Sequence, residues 1–346
     1  MKRPLAIIAA GAVAVTLALA GCGTGSSEEA KDVPRAFTEV EEGAYPVTIE
    51  HAFGETTVTE EPKRVVTIGW TDQDNALSLG VIPVGSTKLT WGGNDAGSSD
   101  WFDAEIAQYL DKGSEAPVRF DDTDGVPTTE ISKLAPDLIL ATNSGLTQED
   151  YDDLVKIAPV VAFPEAPWVT PWQKQMEMVS AALGRPELGK QVIAETEKAI
   201  QEASAAHPQL EGKSVIFGYL TTTDMSTIGI YAPQDPRVSL MHDFGLVDAP
   251  IVAQTIKEGE FYGQLSAERA TEVDSDVFLT WAENADDQET FAGHNLLGQI
   301  PAIKAGHFYA EADKHVSLAV TNPSPVSIPY IIEHFVPEIA KAIDGS

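Results

Sequence analysis

The chain has almost no cysteine: Cys22 is the single one in 346 residues. No disulfide can form within it, so burial alone must hold the fold. Basic residues are scarce as well, 22 Lys and Arg against 53 Asp and Glu, for a formal net charge of -31 at pH 7. Such a surface repels nucleic-acid phosphates and opposes adsorption to anionic lipid, which excludes a nucleic-acid partner. The acidic excess is read as a device for solubility rather than as a cation site. Histidine is thin, and the seven residues (51, 207, 242, 294, 307, 315 and 334) are scattered, with no pair at ligand spacing on one helix. A Zn²⁺ or Mn²⁺ site, which needs several such groups on one ion, is not expected. A Gly-x-Ser-x-Gly elbow, a P-loop and a Gly-x-Gly-x-x-Gly turn after a strand are all missing, so no enzyme is expected. Beyond Ala20 no apolar run approaches the ~20 residues of a membrane-spanning helix.

What the N-terminus does have is Lys2 and Arg3 followed by a Leu, Ile, Val and Ala run from Leu5 to Ala20, the pattern of a secretory signal. Leu19-Ala20-Gly21-Cys22 resembles the bacterial lipobox, in which the cysteine is lipidated and becomes the new N-terminus. The resemblance implies a signal peptide over 1–21 and a lipid on Cys22. The mature protein would then be exported and anchored to the outer face of the bacterial cytoplasmic membrane. Residues 22–45, small, polar and acidic without periodicity, are expected to form a flexible tether.

Beyond the tether, strand and helix signals alternate. A hairpin is expected around Gly54, then strands at 65–68, 81–85, 137–141 and 160–162, with helices at 72–79, 130–134 and 150–157 between them. From Pro171 to His207 the spacing is only helical, and Gly184-Arg185-Pro186 divides it, leaving an uninterrupted helix over 187–206 that is roughly 30 Å long. Alternation resumes with strands at 214–219, 276–281 and 307–309, a helix at 236–244 and a last helix over 327–343. The fold class expected is α/β: two lobes with largely parallel sheets joined by one long rigid helix. The lobes are placed at 46–166 and 211–346, with the connecting helices at 167–210.

In order and spacing, several segments resemble the periplasmic-binding-protein family for iron–siderophores and vitamin B12, the solute receptors of certain ABC importers. They are Pro62-Lys63-Arg64-Val65-Val66, Ala76 to Gly85, and Glu130-Ile131-Ser132-Lys133-Leu134-Ala135-Pro136-Asp137. Gln234-Asp235-Pro236-Arg237, Leu265-Ser266-Ala267-Glu268 and Ser324 to Tyr330 follow in the second half. The resemblance implies a monomeric receptor without a cofactor that takes a ferric siderophore into a cleft between its lobes and hands it to ABC permease subunits. A haem or cobalamin ligand, or a membrane-tethered scaffold or signalling protein without a transported solute, remains an alternative.

A large chelate needs π surfaces to stack on and a few donors to orient it. Ligands of open α/β sheets lie beyond the carboxyl ends of strands. That rule selects Trp70, Asn143, Tyr219 and Trp281. Trp91 and Trp101 are candidates because they sit in a Gly/Asn/Ser-rich loop with little core of its own. Arg237, at a helix start, and Arg119 are the candidate cations, with pairing of Arg237 to Asp235 or Asp243 as its structural alternative. Tyr231 and Tyr262 are candidate hydrogen-bond donors. Trp168 and Trp172 lie ahead of the connecting helices; for Trp168, packing between lobe and helix is preferred, with the cleft floor as the alternative. The resemblance implies that Glu130 and Glu268 dock against permease arginines; each also begins a short helix, where a carboxylate is stabilising anyway.

Overall fold

In the computed structural model, which describes residues 34–257 and 259–345, the chain enters through an antiparallel hairpin of β1 (Val47–His51) and β2 (Gly54–Val58). Cys22, the expected signal over 1–21 and residues 22–33 of the expected tether lie outside the described residues.

The first lobe is a five-stranded, wholly parallel sheet. Its strands are β3 (Val65–Thr67), β4 (Gly85–Thr87), β5 (Val118–Phe120), β6 (Leu138–Ala141) and β7 (Val160–Ala162), in the order β5-β4-β3-β6-β7. Val65, Val66, Leu138, Ile139 and Leu140 are at most 1% exposed, as continuous apolar runs in a parallel sheet covered on both faces should be. The strand expected at 81–85 starts later, at Gly85: Val81 makes only an isolated bridge to Ala36, and Pro83 has no N–H to offer a ladder.

Two helices cross between the lobes, Trp172–Ala182 and the 21-residue Pro186–Ala206. The second begins on the first lobe, where the buried Arg185 guanidinium holds Thr38 and Glu61. It ends on the second, where Ile200, Ala203 and Leu210 enter the core. Ile193 packs against the cores of both lobes, so one helix ties them together.

The second sheet holds β8 (Ser214–Thr221), β9 (Asp224–Tyr231), β10 (Val247–Asp248), β11 (Tyr262–Ser266), β12 (Val277–Trp281) and β13 (Phe308–Glu311). Its order is β11-β9-β8-β12-β13, with β10 alongside the start of β8. The pairs among β8, β10, β12 and β13 are parallel, whereas β9 runs antiparallel to both β8 and β11. β8 therefore does not stop at Tyr219; it continues to Thr221 and turns back as β9. The last helix, expected as one piece, breaks at Phe335 into Ile328–His334 and Val336–Asp344, because Pro337 lacks an N–H and starts a new helix. Among the described residues no helix is long and apolar enough to cross a membrane.

Candidate functional site

Among the candidate residues, Trp70, Asn143 and Trp281 lie at or just beyond the carboxyl ends of parallel strands. On the first lobe, Asp72 knots two such ends together. Its buried carboxylate accepts the Thr142 backbone N–H at 3.0 Å, the Thr142 hydroxyl, and the N–H groups of Gly69 and Asn143. Burial pushes its pKa up to about 6 against those bonds. The knot fixes the loops from which the wall rises.

Trp70 projects from the first loop, half-buried, with the Trp168 ring edge-on at a centroid distance of 6.1 Å. Of the two readings of Trp168, packing between lobe and helix fails: the side chain is 44% exposed. Its backbone sits at φ 63°, the left-handed region that bulky residues avoid, which turns the indole over Gly145. A Cβ on Gly145 would stand 2.6 Å from the indole Nε1, so only glycine leaves that room. Trp172 does pack, at 2% exposure, with Nε1–H donating to Asp243 Oδ2 at 3.0 Å. Asn143 is buried, and its Oδ1 has no hydrogen-bond partner.

Arg119, from the middle of β5, reaches beneath the neighbouring loops. Its Nη1 donates to Gln73 and to Ser86 Oγ (2.7 Å), its Nη2 to Ser98 Oγ (2.5 Å), and the guanidinium lies 5.1 Å over the Phe102 ring. Burial lowers its pKa, while Asp103 and Asp74 nearby raise it. Asp74 is wholly enclosed. Its Oδ2 accepts the Trp101 indole N–H at 2.8 Å and the Ser324 hydroxyl at 2.7 Å, and its Oδ1 is unpartnered. Burial pushes this carboxyl up to about 6 as well.

Ser324 belongs to the second lobe, so the Asp74 bond crosses between lobes. Trp101 joins the same seam, with its ring centroid 5.4 Å from Tyr330. The loop carrying the half-buried Trp91 crosses too: a Cβ on Gly92 would meet the Lys314 backbone oxygen at 2.5 Å. Trp101 and the loop that carries Trp91 are thus part of the join between lobes.

The second lobe presents an aromatic face. Register places Phe217, Tyr231 and Tyr262 in one row across β8, β9 and β11, with ring centroids 6.3 Å and 5.5 Å apart. Trp281, at the end of β12, lies 4.8 Å from Phe217. Gly229 makes room for Tyr262, whose hydroxyl lies where a Cβ would be. Arg237 covers Tyr231 at 3.6 Å from the ring centroid, a close cation–π contact. Its Nε and Nη2 hold both oxygens of Asp235 at 2.7 Å and 2.6 Å, the pairing weighed from the sequence; Asp243 is not involved. Burial works against the Arg237 charge, yet those bonds raise its pKa. Tyr219 shares this face but lies within the β8–β9 hairpin, not at a parallel strand's end, and is 44% exposed.

Between the lobes, a cavity of about 790 Å³ is lined by residues 164–171 including Trp168, and by Lys174, Gln234, Gly259 and Phe261. Its size falls within the range of small-molecule sites. Apart from Trp168, the Pro164–Pro171 segment was not among the sequence candidates, nor was Phe261, 58% exposed. An aromatic outside any periodic run was the available signal. Glu130 and Glu268 are both exposed, near the starts of Thr128–Lys133 and of the 3₁₀ turn Ala267–Glu272. The loop after β5 leads to the first and β11 leads directly to the second. Among the described residues no cluster of three or more His, Cys, Asp or Glu is placed to hold a metal ion.

Against families of known proteins, residues 71–313 match the periplasmic binding protein family. The curated Fe(3+)-citrate-binding protein YfmC of Bacillus subtilis is 26% identical over 265 residues, 75% of this chain and 76% of that protein. The probable siderophore-binding lipoprotein YfiY of the same organism is 25% identical over 324 residues, 90% of this chain and 92% of that one. The crystal structure of PiaA from Streptococcus pneumoniae in complex with ferrichrome superposes with a TM-score of 0.81 at 36% identity, covering 87% of this chain and 99% of that one.

Proposed function

This chain belongs to the periplasmic binding protein family, and we propose that it is a receptor that captures a ferric siderophore between its lobes and delivers it to an ABC importer. The observation that carries this reading is the cavity of about 790 Å³ between the lobes, with Trp168 on one side and Phe261 on the other. Trp70 packs edge-on against Trp168, and Tyr231, Tyr262 and Trp281 add aromatic surface on the second lobe. Flat, polarisable faces grip a chelate whose periphery is carbon and oxygen. Arg237 supplies the directed donor above Tyr231. The relatives support the class: YfmC is an Fe(3+)-citrate binder and PiaA is crystallised with ferrichrome.

The receptor binds its ligand and performs no chemistry on it. Closure is limited, because the Pro186–Ala206 helix packs on both cores and Asp74 already bridges to Ser324. Glu130 and Glu268, one per lobe, dock on permease arginines. The protein acts as a monomer held at the outer face of the membrane by a lipid on Cys22, a step supported by the lipobox-like sequence and by the lipoprotein YfiY.

Tryptophan fluorescence of the purified chain, titrated with ferric hydroxamate, catecholate and citrate chelates and with haem and cobalamin, tests the reading. Saturable quenching by a ferric chelate, weakened in Trp70→Ala, is the expected result. Binding of haem or cobalamin alone would replace the substrate, and silence to the whole panel would overturn the receptor role. Docking has its own test: Glu130→Arg combined with Glu268→Arg should abolish cellular uptake while the purified variant still binds the chelate.

A further inference from the structure

We propose that Asp74 is a positioning residue for the cleft: with Trp101 and Ser324 it forms a latch across the lobes, and the latch tightens when its carboxyl takes up a proton. This device lies beyond the receptor reading and holds whatever solute the cleft takes.

The contact joins residues 250 positions apart and is sealed from solvent. Asp74 is 3% exposed, and Ser324 and Ser327 are 0% exposed. Asp74 Oδ2 accepts the Trp101 indole N–H at 2.8 Å and the Ser324 hydroxyl at 2.7 Å. The direction of the second bond is fixed by its surroundings. Ser324 Oγ accepts the Ser327 backbone N–H at 3.1 Å, while the Ser324 backbone N–H donates to Ser327 Oγ at 2.8 Å. That exchange holds the Ser324 side chain in place and leaves its single proton for Asp74. Trp101 is clamped as firmly, because it packs against the core of the second lobe and against the Leu77, Ile82, Phe102 and Ile106 cluster of the first. Trp70, beside the cavity, stands just ahead of the helix Asp72–Ser78 that carries Asp74. The latch and the cavity wall therefore share one short piece of chain.

The carboxylate is poorly served where it lies. Two donors share Oδ2, whereas Oδ1 is buried without a partner. Arg119 is the charged side chain that acts on it, yet Arg119 gives its donors to Gln73, Ser86 and Ser98. Asp100 and Asp103 on the helix of Trp101, and Asp72 on the helix of Asp74, are acids and bring no relief. On the second lobe, Tyr330, Glu333 and His334 are the titratable groups of helix Ile328–His334, and the His334 ring lies 4.2 Å from Tyr330. A carboxylate short of donors is costly to enclose and easy to hydrate. Burial accordingly pushes Asp74 from 3.8 up to about 6. The closed seam thus prefers the protonated carboxyl, and parted lobes, which let water reach Oδ1, prefer the ionised one. By linkage the closed seam gains as pH falls through about 6 and loses that gain as pH rises through it. At neutral pH the ionised latch is poised to part.

Deuterium exchange of the Trp101 indole N–H, followed by NMR in the purified chain and corrected for the intrinsic rate, reads the opening constant of the latch. Mild urea separates this opening from global unfolding, since parting the lobes exposes little surface. In wild type the opening constant should rise by about tenfold between about pH 5 and about pH 7.5, the factor that values of 3.8 and about 6 dictate. Asp74→Asn should change by less than about twofold over the same range. Ser324→Ala removes the second-lobe donor and should raise opening by about tenfold at about pH 7.5. His334→Gln should keep the wild-type pH dependence. The latch is overturned if the Trp101 N–H exchanges only through global unfolding, if wild-type opening ignores pH, or if Asp74→Asn retains the wild-type response. Loss of the response in His334→Gln would assign the proton to that imidazole and overturn it as well. If Asp74→Asn fails to fold, Ser324→Ala decides, and opening no greater than in wild type overturns the latch. No solute enters the measurement, so failure of every ferric chelate to bind would overturn the receptor reading and leave the latch standing.

Discussion

Arg119 and Arg237 are one arginine per lobe, each half-buried and each lying over an aromatic ring, yet their surroundings assign them different work. Arg119 spreads its donors over neutral oxygens from the helix start, β4 and the crossing loop. It is the hub of a polar seam in which Asp74, Trp101 and Ser324 are the next links. Arg237 gives its donors to a single carboxylate two residues away, and the pair lies on the aromatic face. One arginine organises protein; the other dresses a surface. Two residues of the same type, both read from sequence as candidate ligand contacts, are separated by what their partners are.

The largest expected effect falls on the organising arginine. Arg119→Ala strands Gln73, Ser86 and Ser98 and removes the charge nearest Asp74. Urea denaturation should show a loss of about 3 kcal/mol, since bonds to a charged group in a half-buried site contribute about that much. An Arg119→Ala protein of unchanged stability that no longer binds chelate would erase the distinction between the two arginines.

Asp74 sharpens the same contrast through pH. Its carboxyl is pushed from 3.8 up to about 6 by burial, against help from Ser324, Trp101 and Arg119. A carboxyl raised in the folded state stabilises the fold fully below its unfolded value of 3.8, and that contribution is lost as pH rises through about 6. Wild type should therefore gain up to about 3 kcal/mol from this group between neutral pH and pH ~4, since each pH unit separating the folded and unfolded values is equivalent to about 1.4 kcal/mol. Asp74→Asn should flatten that part of the profile, which leaves Asp72 as the remaining buried acid of the same kind. Parallel stability profiles in wild type and variant would show that Asp74 titrates normally and that the seam is open to water.

Much of this was legible in the sequence, and the failures are physical. Continuous runs such as Leu138–Ala141 announced the parallel strands, since burial on both faces leaves no ambiguity about what they are. β9 and β11 were missed because Ser226, Gly229 and Gln264 interrupt their apolar pattern, the mark of antiparallel strands with an exposed face. β5 has three residues, one of them charged, too few to show a period. The strand ends expected to carry Trp70 and Trp281 are where the structure has them, after β3 and at the end of β12. The local Asp235–Arg237 pair was visible as an option, whereas Asp74 and Ser324, 250 positions apart, leave no trace of their bond in sequence. For Trp168 packing was preferred over the cleft floor because its place depends on a left-handed backbone and on Gly145, which the sequence does not announce.

On the aromatic face the effects are smaller and graded by position. Trp281→Ala should weaken chelate affinity by about tenfold, the loss of one stacking surface at roughly 1.4 kcal/mol, with little change in unfolding free energy at the rim of the core. Tyr219→Ala should change affinity by less than about threefold, because Tyr219 lies within the β8–β9 hairpin rather than at a parallel strand's end. Calorimetric titration of both variants with the preferred ferric chelate ranks them. If Tyr219→Ala proves as costly as Trp281→Ala, the ligand extends over the β8–β9 hairpin. The second lobe would then contribute its sheet face as well as its strand ends, and the exposed hairpin would belong to the binding surface.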